Sequence, residues 1–305
     1  MSRTTWRESV RGAALGVLFA ACAASPPPRP FDGAQALRYA EIQLAFGPRI
    51  PGTPGHGAAS RWLDSLLTAR ADTLIVQRWT HTTATGDSLP LQNFIARFNP
   101  AAQQRLLFLA HWDSRPRSDG PTAGDARGPV PGANDGASGV AVLLAVADAL
   151  GDAPPAIGVD LLLVDGEDYG LFPDKVDVLI GSRYYAANQP PGPKPRYAVL
   201  LDMVGDRDLA IYQEGYSLIA APDVVEYVWE AARAIGHGGI FLRSSKHTME
   251  DDHVPLQQVG IRAINIIDFD YPYWHTVDDT IDKISAASLQ VVGEVVLELI
   301  RKGER

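Results

Sequence analysis

Side chains able to bind a metal or move a proton fall in five short groups: His111-Trp112-Asp113-Ser114, Asn134-Asp135-Gly136, Asp165-Gly166-Glu167-Asp168, Asp202 and Trp274-His275-Thr276. Singly, each reads equally well as a helix cap or turn former. Together they supply the imidazole and carboxylate donors of a catalytic zinc. Such a site takes three ligands from the protein and leaves a fourth position for water or substrate. A neighbouring carboxylate that does not bind the metal can then move protons. Glu167-Asp168 suits this division, because adjacent residues on a turn point in different directions. Two buried carboxylates side by side repel, and a cation relieves that cost.

For these groups to meet, the fold must bring strand ends together. Gln104–Ala110, Val159–Val164, Tyr197–Leu201 and Arg262–Ile267 read as continuous apolar strands, and Thr73–Trp79 and Asn93–Phe98 as two further strands. Helices are expected near 35–46, 55–69, 137–150, 222–235 and 285–301, where apolar residues recur at helical spacing. Continuous apolar strands alternating with helices predict a three-layer α/β/α sandwich with a mixed, mostly parallel central sheet. In such sheets ligands bind outside the carboxyl ends of the strands. The polar groups follow those ends or, for Asn134-Asp135-Gly136, open the helix at 137. The Pro-, Gly- and Asp-rich segment from Arg115 to about 131 is expected to shape the mouth of the pocket.

The chain has 305 residues, is 46% apolar and carries a net charge of −9. That length suits about two domains at roughly 150 residues each, but no internal repeat or linker divides 31–305, so one catalytic domain is expected there. The acidic balance argues against a nucleic-acid partner, which would require a basic face. The single cysteine excludes an intramolecular disulfide. Residues 1–21 carry Arg3, Arg7 and Arg11 and then an apolar run from Ala13 to Ala21, too short to span a bilayer and typical of an export signal. Cys22 follows directly and 22–30 form a Pro-rich tether. The segment resembles a bacterial lipoprotein signal. The expected location is the bacterial envelope, anchored through lipid on Cys22; an ordinary secretory signal would instead give a periplasmic or secreted protein. Removal of 1–21, with its three arginines and one glutamate, leaves a net charge near −11.

Asn-Asp-Gly-Ala-Ser-Gly (134–139), Asp-Gly-Glu-Asp (165–168), Leu-Asp-Met-Val-Gly (201–205), Glu-Asp-Asp-His (250–253) and Trp-His-Thr (274–276) occur in an order that resembles the zinc-dependent exopeptidase and glutaminyl-peptide cyclotransferase superfamily. The likeness is nearest to bacterial members of the animal-type glutaminyl cyclases. It implies Asp135, Asp168 and His275 as zinc ligands, Glu167 as proton shuttle, Asp202 and Asp251 as acids around it, and Trp274 as a wall of the substrate pocket. In the two-zinc aminopeptidases, residues matching His111 and Asp202 bind a second zinc and the Asp135 position bridges both ions. Asp168 departs from the more familiar glutamate and is one methylene shorter.

Two reactions share these residues. A cyclase closes an N-terminal glutamine of a peptide or protein to pyroglutamate, with release of ammonia and one zinc. An aminopeptidase removes an N-terminal residue and uses two. Trp274 directly before His275 and the run Glu250–His253 resemble the cyclotransferases more than the aminopeptidases, which implies the cyclase; a third alternative is an inactive surface lipoprotein that binds zinc or peptide. Other residues read as decoys. Ser138 lacks the spacing of a nucleophile elbow and is expected to pack at the start of its helix. His56, His81 and His237 are expected at the surface, His253 in a structural role and His247 in none. Asp206 and Asp208 shape the loop after Asp202 or are solvated. Trp112 and Tyr169 line the pocket or pack in the core, and Asp113 and Ser114 stand behind the ligands at most.

Overall fold

A computed structural model describes residues 1–2, 29–124 and 127–304; the expected export signal from residue 3 onward, Cys22 and the expected tether up to residue 28 lie outside the described residues. In chain order the elements are α1 (Gly33–Ala45), α2 (Pro54–Thr68), β1 (Thr73–Thr82), β2 (Ser88–Phe98), β3 (Arg105–His111), α3 (Ala137–Asp152), β4 (Gly158–Val164), α4 (Ile180–Ala187) and β5 (Ala198–Asp202). They continue with β6 (Ile211–Gln213), α5 (Gly215–Ala220), α6 (Pro222–Ala234), β7 (Phe241–Ser245), α7 (His253–Gln258), β8 (Ala263–Ile267) and α8 (Ala286–Gly303).

Local chemistry sets several boundaries. Asp32, Thr53 and Ser285 each cap a helix by accepting a backbone N–H, from Gln35, His56 and Ser288 respectively. Pro54 and Pro222 open α2 and α6, where a missing N–H costs nothing. Arg301 and Lys302 lie in the last turn of α8, at the negative end of its dipole.

The main sheet has the order β1-β2-β4-β3-β5-β8. The pairs β4–β3, β3–β5 and β5–β8 are parallel, and β1–β2 and β2–β4 antiparallel. The expected mixed, mostly parallel sheet is thus present. Its parallel strands are buried along their whole length. Alternate residues feed two cores. Phe108, Leu161, Val199 and Ile264 face one way, toward α1, α2, α3, α6 and α8. Leu107, Leu109, Leu162 and Leu200 face the other, against Tyr185 of α4 and Leu256 of α7. The chain leaves β3 for β4 on one side and then returns to β5 on the other. This reversal opens a crevice at the carboxyl end of β3, the place where ligands bind in such sheets.

The structure adds to the expected elements. The strands foreseen at 73–79 and 93–98 extend into one hairpin, with Thr82 opposite Ser88. The short elements α4, β6, α5, β7 and α7 had no visible pattern: the helices span about two turns or fewer, and β6 and β7 lack the continuous apolar run that marks the buried strands.

Arg49 ties the site-bearing loops together. Fully buried, it donates from Nε to the Trp112 carbonyl at 2.9 Å, and from its two terminal nitrogens to the carbonyls of Pro131 at 3.1 Å and Gly132 at 2.7 Å. Burial pulls its pKa down to about 10, against the raising influence of Asp113, Asp279 and Asp135. Arg49→Met is expected to lower the unfolding free energy by about 3 kcal/mol, at roughly 1 kcal/mol for each lost hydrogen bond. Urea denaturation measures this loss.

Candidate metal centre and active site

Each expected residue arrives at the carboxyl edge by a different route. His111 ends β3 and Asp202 ends β5. Asp135 precedes α3, followed by Gly136 at φ 93°, where a Cβ would come within 2.6 Å of the Asp113 carbonyl oxygen. Glu167 and Asp168 follow β4 through Gly166 at φ 68°. Asp251 precedes α7, and His275 lies in the loop after β8, itself at φ 56°. For a residue other than glycine that conformation is costly and is retained where surrounding contacts enforce it.

The side chains converge. His275 Nε2 is 3.1 Å from Oδ1 of Asp168 and 3.5 Å from Oδ2 of Asp135. His111 Nε2 is 3.2 Å from Oδ1 of Asp135 and 3.2 Å from Oδ1 of Asp202. Two groups therefore have donor atoms within 4.8 Å of one another: Asp135, Asp168 and His275, and His111, Asp135 and Asp202. Asp135 belongs to both. The first group suits a divalent cation for a further reason: Oδ2 of Asp135 and Oδ2 of Asp168 are buried without any hydrogen-bond partner. An orphaned carboxylate oxygen in a protein interior is costly unless something positive meets it.

Electrostatics point the same way. Burial raises the Glu167 pKa well above its usual value, and the charges of Asp168, Asp251 and Asp252 add to that against the opposing pull of His111. Burial, then Asp202, pushes Asp251 up to about 7. Burial, then Asp135, does the same for Asp279, again to about 7. The site holds more negative charge than its own imidazoles and guanidinium groups balance, and a bound cation corrects the excess.

These groups floor a pocket of about 250 Å³ whose lining includes Asp135, Glu167, Asp202, Asp251 and His275. Its walls are apolar: Phe172, Met249, Ile267, Phe269 and Trp274. Trp274 stacks on His275 with ring centroids 4.0 Å apart and packs against Phe269 at 4.9 Å.

The supporting residues were only partly foreseen. Asp113 receives the backbone N–H groups of Glu167 and Asp168, both at 3.1 Å, and so stands behind the turn, as expected of it at most. Ser114 accepts the backbone N–H of Arg49. Ser138 packs at the start of α3, bonding Asn134 and Val204. His253 is buried against Glu214 at 3.2 Å, a structural role, and His247 pairs with Asp270 near the surface. Asp206 accepts from the Asp208 N–H and shapes the loop after β5. Trp112 and Tyr169 pack away from the pocket, Trp112 in the main core and Tyr169 against the Leu89–Leu91–Ile180 cluster.

His56 corrects an expectation. It is 5% exposed, stacks on Trp112 at 4.3 Å and bonds Oδ1 of Asp165 at 2.9 Å, so it supports the Glu167 turn from within the protein. Its Gly-rich surroundings reflect the entrance to α2 rather than a surface loop. His81 and His237 are half-buried partners of Asp177 and Glu294. The sequence reading also missed Asp279, Arg115 and Asp119. Asp279 accepts the N–H groups of Asn134 at 2.9 Å and Asp135 at 3.1 Å, together with the Tyr271 hydroxyl at 2.6 Å. Its only signal was its place four residues after His275.

Comparison with known proteins agrees with this geometry. The profile of peptidase family M28 matches residues 93–300. A solved glutaminyl cyclase from Bacteroides thetaiotaomicron is 35% identical, with a TM-score of 0.85, over 90% of this chain and 99% of that one. A structure described as a leucine aminopeptidase precursor from the same organism is also 35% identical, with a TM-score of 0.86, over 90% and 98% of the two chains. The glutaminyl-peptide cyclotransferase of Gloydius blomhoffii is 27% identical over 84% of this chain and 78% of its own length.

Asp135→Ala removes the carboxylate common to both groups. It is expected to leave a folded protein that has lost most of its bound divalent metal, measured by elemental analysis after gel filtration.

Proposed function

This chain belongs to peptidase family M28, and from that premise we propose that it is a glutaminyl-peptide cyclotransferase, closing the N-terminal glutamine of peptides or proteins to pyroglutamate with release of ammonia. Asp135, Asp168 and His275 would hold one zinc ion, which when bound supplies Lewis-acid polarisation of the substrate's side-chain carbonyl. The apolar walls receive the methylene stem of the glutamine while its polar tip reaches the acidic floor. The α-amine attacks the side-chain amide carbon, so the reaction is intramolecular and positioning supplies much of its rate. Glu167 accepts the proton that the amine loses and delivers it to the departing nitrogen. Burial raises its pKa above the usual glutamate value, which suits a group that must both take and give a proton. Asp251, anchored by the Asn265 amide at 2.6 Å, and Asp202 share the charge around it.

The observation that carries the choice of reaction is Trp274, which stacks on His275 with ring centroids 4.0 Å apart and, with Phe269 and Ile267, forms an apolar wall over the acidic floor. The similarity to a glutaminyl cyclase along nearly the whole of that chain supports the same reading. The second reading, a two-zinc aminopeptidase, rests on the spacing of His111, Asp135 and Asp202, which also suits a metal.

A paired assay separates the two. Given a Gln-initiated and a Leu-initiated peptide, the protein is expected to release ammonia from the first and leave the second intact, as read by mass. Loss of a whole residue from the Leu peptide, with about two zinc ions per chain, would instead establish the peptidase. Glu167→Gln is expected to keep zinc while turnover falls roughly 100- to 10,000-fold. An unchanged rate would exclude Glu167 as the proton carrier.

A further inference from the structure

Outside the metal triad, Arg115 joins two of its members. Its NH1 donates to Oδ1 of Asp168 at 2.8 Å and to the Asp168 carbonyl at 3.2 Å. Its Nε and NH2 grip Asp119 through both carboxylate oxygens, at 2.6 and 2.8 Å. Oδ1 of Asp119 lies 3.5 Å from Nδ1 of His275, on the side of the ring opposite the nitrogen that faces Asp135 and Asp168. The backbone closes the same circuit. The N–H groups of Asp119 and Gly120 both donate to the His275 carbonyl, at 3.1 and 3.0 Å. A Cβ on Gly120 would fall 2.1 Å from the Trp274 carbonyl oxygen, so only glycine permits this approach.

We propose that Arg115, Asp119 and Gly120 form a positioning clamp that holds Asp168 and His275 in metal-binding register. Arg115 fixes Oδ1 of Asp168, the oxygen 3.1 Å from Nε2 of His275, while Oδ2 has no hydrogen-bond partner and stays open. Asp119 faces the far nitrogen of His275, which turns Nε2 inward. The paired carbonyl bonds hold His275 at its positive φ, a conformation that would otherwise relax. Carboxylates and cations that orient ligands from behind typically set metal affinity by a factor of about 10 to 100. The planar fork of arginine is required, because a lysine ammonium cannot span two carboxylates in fixed geometry. None of the three residues touches the substrate path directly; they act through the ligands. The proposal rests on Asp135, Asp168 and His275 being a metal triad, whichever reaction the site performs.

The test is the zinc dissociation constant, measured by competition with a chromophoric chelator on the full chain. The variants are Arg115→Lys, Asp119→Ala and Gly120→Ala, with near-ultraviolet circular dichroism as the check on folding. Asp119 keeps a side chain about one-third exposed, so its truncation leaves the core intact. Each variant is expected to fold and to bind zinc about 10- to 100-fold more weakly than wild type. Folded Asp119→Ala and Gly120→Ala proteins with wild-type zinc affinity would overturn the clamp. A wild-type protein that binds no zinc would overturn the metal triad itself, a separate failure.

Discussion

The constraint on which the rest of the structure depends is negative charge crowded where water is scarce. Asp113, Asp135, Glu167, Asp168, Asp202, Asp251, Asp252 and Asp279 are all buried, and all lie at or beside the carboxyl edge of one sheet. Buried carboxylates persist only if each finds donors or a counter-charge. The protein meets that demand in graded ways. Backbone N–H groups serve Asp113 and Asp279. Guanidinium groups serve Asp168 directly and Asp113, Asp135 and Asp279 at a distance. Imidazoles serve Asp135 and Asp202. Among these acids, both oxygens of Asp252 and Oδ2 of Asp135 and of Asp168 remain without a hydrogen-bond partner, and the last two are a demand that a metal ion would meet.

Meeting it has shaped the backbone. The chain adopts left-handed conformations at Gly136, Gly166, Met203 and His275, each within the turns that carry or adjoin site residues. Straight continuation of a strand or helix would send those side chains to opposite faces of the sheet; a left-handed residue turns the chain so that they meet. Arg49 and Asp279 then lock neighbouring loops by their carbonyls and N–H groups, so the donor atoms sit on a rigid frame. Preorganisation of this kind lets a site act without reorganising as charge shifts during reaction.

One fold and one donor set can run two chemistries here, and M28 relatives bearing both descriptions share this architecture. The architecture by itself therefore does not choose between them, and the choice rests on the site. The narrower choice depends on whether His111 and Asp202, together with Asp135, share a second cation.

The amino-acid sequence alone determined the class of fold and which polar groups gather at one edge of the sheet. Long apolar strands and amphipathic helices declare themselves by periodicity, and acids placed directly after such strands must gather at one edge. Asp135, Asp168, Glu167, Asp202 and His275 were legible for that reason. Tertiary structure alone decided the supports. His56 lies 109 residues from Asp165 in sequence, and Arg115 lies 53 from Asp168. Nothing local marks such partners, because a hydrogen bond between distant segments leaves no periodic trace in either one. The short elements α4, α5 and α7 and the clamp around His275 belong to the same category, since contacts made only after the chain has folded hold them in place.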